Sequence, residues 1–556
     1  MLRTEPLMIE SYPVLSLVPP LLAILLVIGT KKVIASLAAG ILAAAALIAD
    51  GGIAGTLTKV WEAFSQIFWA EGTVNSYYVL ILVFLLTLGV ITSLVLMSGG
   101  TQAFAEWAMT RVRTRRGAQV LAAGLGTAIF VDDYFNALAV GQVARPVSDR
   151  QRVSRAKLAY LIDSSSAPVT VLAPFSSWGA SIIGIMGPIV AGVGVQISDA
   201  GAFMRSAGMN YYAIAALILL WATVVMEIDI GPMRREESRA VATGGLYAPN
   251  EQIPGQLTDS LPRHEPGARR ALIVPFAVLV VGVVGGILGT GRRASGSWAI
   301  LDMLANTDVA LSLNIGGVLG LVTAAFYYFH FTHADPVFEA KTAARGVIEG
   351  ARSMLPAIEI LLCAWMLGAL IAELGTGAYL GSLVESTAVS AQWLIPMLFV
   401  VAGAMAFATG TSWGSFGILL PIAGEIMGSV AGGSELLVPA FGAVLAGAVW
   451  GDHCSPISDT TILSSTGAGC NHITHVNTQL PYAGASAAAA LLGYVAFSAT
   501  GSGGLGIAVT VAALIGFALA MRALLPPIGP AGENVSMAAE AGTPASEDPE
   551  EVPTSA

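Results

Sequence analysis

The eleven residues GDHCSPISDTT (451–461) bring together two carboxylates, a histidine and four hydroxyls, directly after the apolar run LLVPAFGAVLAGAVW (436–450). No lysine or arginine occurs anywhere between Arg352 and Arg522. A carboxylate at membrane depth without a base must hold a proton or bind a cation, because an unpaired buried charge is prohibitively costly. Those two states are the two halves of a cation/proton exchange.

Two further strings have the same character. GTAIFVDDYFNALAVG (126–141) carries Asp132 and Asp133 in the base-free interval between Arg116 and Arg145. KLAYLIDSSSAPVTVLAPFSSWGAS (157–181) carries Asp163, several serines, Pro168 and Pro174, with no base between Lys157 and Arg205. Small hard cations take oxygen ligands, and unwound helices offer carbonyls beside hydroxyls. The candidate ligands are therefore Asp132, Asp133, Asp163, Ser164, Ser166, Thr170, Thr411, Ser412, Asp452, Ser455, Ser458, Asp459 and Thr460. Na⁺ is expected at Asp163, Asp452 and Asp459, and His453 beside Asp452 is the candidate proton relay or pH sensor.

Blander roles compete with this one. Asp and Ser cap helices at chain breaks, and a single buried hydroxyl usually bonds a carbonyl of its own helix. The clustering carries the argument, not any one residue. His453, Cys454, Cys470, His472 and His475 lack the ligand spacing of a zinc site. GTSWG (410–414) fits a nucleophile-elbow pattern but has no strand before it, and HExxH and Walker motifs are missing, so no enzyme is predicted. No cofactor is expected beyond Na⁺ and H⁺ as transported ions, and no nucleic-acid partner.

These residues need elements to hold them in a membrane. Of 556 residues, 55% are hydrophobic and 11% charged, more apolar surface than a soluble chain can hide. About eleven to fourteen crossing or re-entrant segments are expected at the length a bilayer requires. The segment 117–144 would be about 42 Å long as one helix, so a re-entrant hairpin at about 117–147 with Asp132 and Asp133 near its tip is preferred. The segment 157–181 reads as a broken helix, because backbone breaks persist in a membrane only against protein or a water-filled cavity.

The second half repeats this order, with a hairpin at about 392–430 and a broken helix at 436–470. An alignment at an offset of 288 places Pro168 on Pro456 and Thr170 on Ser458. The first hairpin has bases at both ends and the second has none, the asymmetry of an inverted repeat. The expected organisation is a first membrane half at 1–228, an arginine-rich cytoplasmic loop at 229–270, a second half at 271–525 and an acidic disordered tail at 526–556. Clusters of basic residues mark cytoplasmic loops by the positive-inside tendency. The chain is thus expected to be an all-α polytopic membrane protein.

FVDDYFNALAVG (130–141), DSSSAPVTVLAPFSSWGA (163–180), GTSWGSFGILLPIA (410–423) and GDHCSPISDTTILSSTGAGCNHITHVNTQLPYA (451–483) together resemble the NhaC-type Na⁺/H⁺ antiporter family, over about residues 10–525. The resemblance implies an ion-transporter-superfamily fold with an elevator-type scaffold and transport domain, a homodimer, and exchange of Na⁺ (or Li⁺) for H⁺. Motif by motif it points to Asp132, Asp133, Asp163, Thr411, Ser412, Asp452, Ser455, Ser458 and Asp459. Relatives in that family exchange malate for lactate or carry amino acids, so coupled transport of a small organic acid or amino acid is the alternative.

Overall fold

A computed structural model describes residues 12–528, apart from 31, 71, 131, 175, 250, 252, 254–260, 377–378, 380–389 and 430–431. The expectation for the acidic tail falls, beyond residue 528, outside the described residues. Among the described residues nine helices are long and apolar enough to cross a membrane, or ten if one bent pair counts as a span. Helices dominate because a chain in hydrocarbon must satisfy its backbone groups internally.

The bent pair is α1 (Val33–Ile48) and α2 (Ile53–Phe68), which meet at 120°. Helix α3 (Ser76–Met97) follows, and then the first polar repeat. Its hairpin consists of α4 (Arg115–Ala128) and α5 (Asp133–Arg150), and its broken helix of α6 (Arg155–Leu172) and α7 (Ser177–Val193). Helices α8 (Tyr211–Met226), α9 (Gly231–Thr243), α10 (Arg270–Ser295), α11 (Val309–Thr332) and α12 (Leu355–Glu373) lead to the second repeat. There α13 (Ala391–Thr409) and α14 (Ser412–Ser429) form the hairpin, and α15 (Leu437–Cys454) and α16 (Asp459–Ala468) the broken helix. Helices α17 (His472–Thr500) and α18 (Gly503–Leu524) complete the described chain.

The two repeats pack reciprocally. Half-helix α16 of the second repeat lies against α5, the hairpin arm of the first, and half-helix α7 of the first lies against α14 of the second. Between apolar helices in lipid there is little hydrophobic drive, so close approach at small residues does the work. A Cβ on Gly141 of α5 would stand 2.4 Å from the Gly467 carbonyl of α16, and one on Gly451 of α15 would stand 2.0 Å from the Gly403 carbonyl of α13. Larger side chains would force these pairs apart.

Both breaks occur where a proline excludes the preceding residue from helical geometry. Ala173 before Pro174 and Ser455 before Pro456 are extended, with ψ of 118° and 125°. This corrects the register of the repeat: the equivalent prolines are Pro174 and Pro456, 282 positions apart, and not Pro168 and Pro456. Pro168 lies inside α6. The helix runs on through it, and the hydroxyls of Ser165, Ser166 and Thr170 donate to carbonyls of α6, at 2.6–3.1 Å.

The basic end of the first repeat is a network of ion pairs. Buried Lys157 donates to Asp229 at 2.8 Å, Arg155 pairs with Asp149 at 3.1 Å, and Arg115 pairs with fully buried Glu237. Glu237 belongs to α9, so the stretch read from sequence as a polar loop contains a helix docked on the first repeat. Its carboxylate also accepts from the Ser154 amide at 2.7 Å. Helix α10 carries arginines at both ends, Arg270 and Arg292–Arg293, so one pair departs from the one-sided charge pattern.

Candidate ion-binding site

The two breaks and the two hairpin tips bring side chains to the interior, Asp452 and Asp459 at one break, Trp178 at the other, and Asp133 and Ser412 at the tips. The site is built from two hydrogen-bonded networks.

The first centres on Asp163, fully buried in α6. Ser464 donates to its Oδ1 at 3.0 Å, and Thr461 donates to its Oδ2 at 3.2 Å. Gln479 Nε2 donates to Oδ2 at 2.5 Å, and His475 Nε2 lies 3.2 Å from the same oxygen. The same Gln479 amide donates to the His453 carbonyl at 3.0 Å. Asp163 is therefore held by side chains of α16 and α17, His475 among them.

The second network centres on Asp452, in the last turn of α15. Its Oδ2 accepts from Ser412 and from Thr460, both at 3.0 Å. Its Oδ1 is buried and has no hydrogen-bond partner among the described residues. Ser458 and Thr460 hydroxyls lie 3.0 Å apart, and Ser458 accepts from the Thr461 amide as the N-cap of α16. Because Asp452 adjoins His453, whose carbonyl Gln479 holds, the two networks are joined through one peptide unit. His453 Nδ1 lies 3.0 Å from the Tyr212 hydroxyl, and its Nε2 is buried without a partner among the described residues.

Asp459 and Asp133 begin α16 and α5, where a negative charge favours the helix dipole. Asp459 Oδ1 accepts from the Thr460 amide at 2.8 Å, and Tyr134 donates to Oδ2. Asp133 Oδ1 accepts from Trp178 Nε1 at 2.9 Å, while Oδ2 is buried without a partner. Asp132 is buried beside it. Both line a cavity of about 300 Å³ with Tyr77, Tyr134, Trp178 and Trp413. Thr411 lines a neighbouring cavity of about 460 Å³ with Asp459, Tyr77, Tyr134 and Trp413.

The remaining expected ligands are placed differently. Ser166 and Thr170 donate to the Asp163 and Ser166 carbonyls, and Ser164 lies mid-helix in α6 rather than at a break. Ser455 donates to the Phe407 carbonyl at 2.8 Å, tying the second break to α13. The three carboxylates expected to share one ion do not close on a point: among the described residues no three His, Cys, Asp or Glu side chains converge as metal ligands. Asp163 and Asp459 have both oxygens engaged, which leaves Asp452 as the open carboxylate of the three.

Sequence reasoning missed His475, Gln479 and Ser464 around Asp163, Tyr134 at Asp459 and Trp178 at Asp133, and it took Thr461, which donates to Asp163, only as one of the hydroxyls of the second break. His475 and Gln479 stand four apart, and Thr461 and Ser464 three apart, so each pair shares a helix face. That spacing was the available signal. Nothing local marked Tyr134 or Trp178.

The sequence model of the Na⁺/H⁺ antiporter family matches residues 169–499, more than half of the chain. An uncharacterized protein of Haemophilus influenzae is 42% identical over 520 residues, covering 92% of this chain and 96% of that one. The malate-2H⁺/Na⁺-lactate antiporter of Bacillus subtilis is 31% identical over 149 residues, 26% of this chain and 30% of that one. An uncharacterized Na⁺/H⁺ antiporter of Haemophilus influenzae is 31% identical over 163 residues, 29% and 33% of the respective chains. With the match spanning the second repeat and its polar break, the chain belongs to the Na⁺/H⁺ antiporter family.

Proposed function

We propose that the protein exchanges Na⁺, or Li⁺, for H⁺ across a prokaryotic plasma membrane, with Asp452 as the group for which cation and proton compete. One observation carries this: Asp452 is 1% exposed and faces two hydroxyls, and its Oδ1 has no partner. A proton or a cation satisfies that oxygen. The hydroxyls of Ser412 and Thr460 stand ready as further oxygen ligands. His453, next in sequence, is the candidate relay. Asp163, saturated by four side chains, couples the site to α17. The repeats move as an elevator-type transport domain against a scaffold, in a homodimer whose basic loops are cytoplasmic.

The test is Na⁺-driven dequenching of a pH-sensitive dye in proteoliposomes with an acidic lumen. Proton efflux that saturates with Na⁺ or Li⁺ is expected. Absence of efflux with either ion, in protein that is folded and correctly inserted, rejects the exchange.

A second reading is supported by the match to the malate/lactate antiporter: coupled transport of a small organic acid. The cavities beside the carboxylates are large enough for one. Uptake of labelled malate or lactate that requires Na⁺, without Na⁺/H⁺ exchange in its absence, would replace the first reading by this one.

A further inference from the structure

The two cavities beside the carboxylates have more space, and a different lining, than an inorganic cation requires. One measures about 300 Å³ and ends on Asp132 and Asp133, and the other measures about 460 Å³ and ends on Asp459. They share Tyr77, Tyr134 and Trp413 as a common wall. A cation with six waters fills only about 200 Å³ at roughly 30 Å³ per water. Hydrated ions also gain little from aromatic walls.

The aromatic groups are fixed to the acids. Trp178 donates to Asp133 and Tyr134 donates to Asp459. Trp178 and Trp413 stand edge to face at 5.4 Å between ring centroids, each packed against Phe416. Trp178 begins α7 of the first repeat, and Trp413 begins α14 of the second, so both repeats build the wall. Among the described residues Asp133 Oδ2, buried beside this wall, has no hydrogen-bond partner, and neither cavity is lined by a lysine or arginine. Aromatic faces beside an unpartnered carboxylate are the chemistry that recognises an ammonium group on an apolar body.

We propose that this paired cavity binds an organic ammonium ion, its cationic head at Asp133 and its apolar body against Trp413, Trp178 and Tyr134. The inference goes beyond Na⁺/H⁺ exchange and rests only on the reading of this region as part of the transport site. Inorganic cations are held at Asp452, which lines neither cavity.

The test measures equilibrium binding to the full-length protein in nanodiscs with four ligands that share one aromatic body: phenethylammonium, 2-phenylethanol, 3-phenylpropionate and phenylalanine. Saturable binding of the amine is expected, at least tenfold tighter than the alcohol or the carboxylate and no weaker than the amino acid. Trp413→Leu should weaken the amine about tenfold, and Trp413→Phe should recover most of that loss. Equal binding of amine and alcohol would make the cavity merely apolar and overturn the proposal. So would tighter binding of the carboxylate or of phenylalanine. The comparison on the unaltered protein stands even if the variants do not fold. Amine binding without Na⁺/H⁺ exchange rejects the exchange and leaves the ammonium site standing, whereas exchange without amine binding does the reverse.

Discussion

Replacing Asp452 by Asn removes one charge and little else. The amide oxygen can stay on the Ser412 and Thr460 hydroxyls, which now contact Oδ2 at 3.0 Å. The NH₂ then occupies the direction of Oδ1, where the carboxylate has no partner to lose. Packing and the break at Pro456 should therefore survive. What is lost is the attraction between a unit charge and a bound cation, about 4 kcal/mol for a separation of about 4 Å at an effective dielectric of about 20. At about 1.4 kcal/mol per decade, that is a roughly thousandfold loss of Na⁺ affinity. In the proteoliposome dye assay, Asp452→Asn should give no Na⁺-driven proton flux at concentrations that saturate the unaltered protein. Elution as a single folded species by size exclusion must accompany this result. Half-saturation within about threefold of the unaltered value would refute the assignment of Asp452.

Four further outcomes follow from the packing. Gln479→Leu removes the donor that joins Asp163 to the His453 carbonyl, costing about 3 kcal/mol for a bond to a charged group, so a thermal melt that superimposes on the unaltered protein would contradict the bridge. Tyr134→Phe releases the first hairpin from Asp459 by about 2 kcal/mol, which should raise amide deuterium exchange in both α5 and α16, and unchanged exchange in either would count against the link. Gly410→Ala should destabilise by at least about 1–2 kcal/mol, because Gly410 sits at φ +71° and a Cβ there meets the Ile457 carbonyl at 2.5 Å. Gly417→Ala, in helix α14 with nothing within 4 Å of its Cβ, should leave the melting temperature unchanged or raise it.

Much of the architecture was legible because polar residues in the middle of apolar runs can only be hairpin tips, breaks or sites. Asp133, Thr411 and Pro456 mark such places, and all three fall at helix ends or between helices. The register of the repeat was not legible. Both broken strings are rich in Ser, Thr and Pro, and local similarity favoured Pro168 over Pro174. Pro168 nevertheless lies inside α6, which runs from Arg155 to Leu172. The partners of Asp163 lay beyond local reading too, since His475 and Gln479 stand more than three hundred positions away. The docking of α9 escaped because its charges read as solvated, whereas Glu237 is buried and paired.

The position of Asp452 also bears on the simplest rival account of these acids, that they merely cap helices. That account suits Asp133 and Asp459, which stand in first turns where an anion is favoured. Even there the cap of α16 is already supplied by Ser458, which accepts from the Thr461 amide. Asp452 stands in the last turn of α15, at the negative end of the helix dipole, where an anion is disfavoured. Among the described residues no lysine or arginine pairs with it, and the hydrogen bonds it accepts reach only one of its two oxygens. Helix geometry therefore opposes this carboxylate instead of explaining it. On the proposed reading a mobile positive charge, proton or cation, offsets both the dipole and the unpartnered oxygen, and its departure leaves a state that the other ion would relieve.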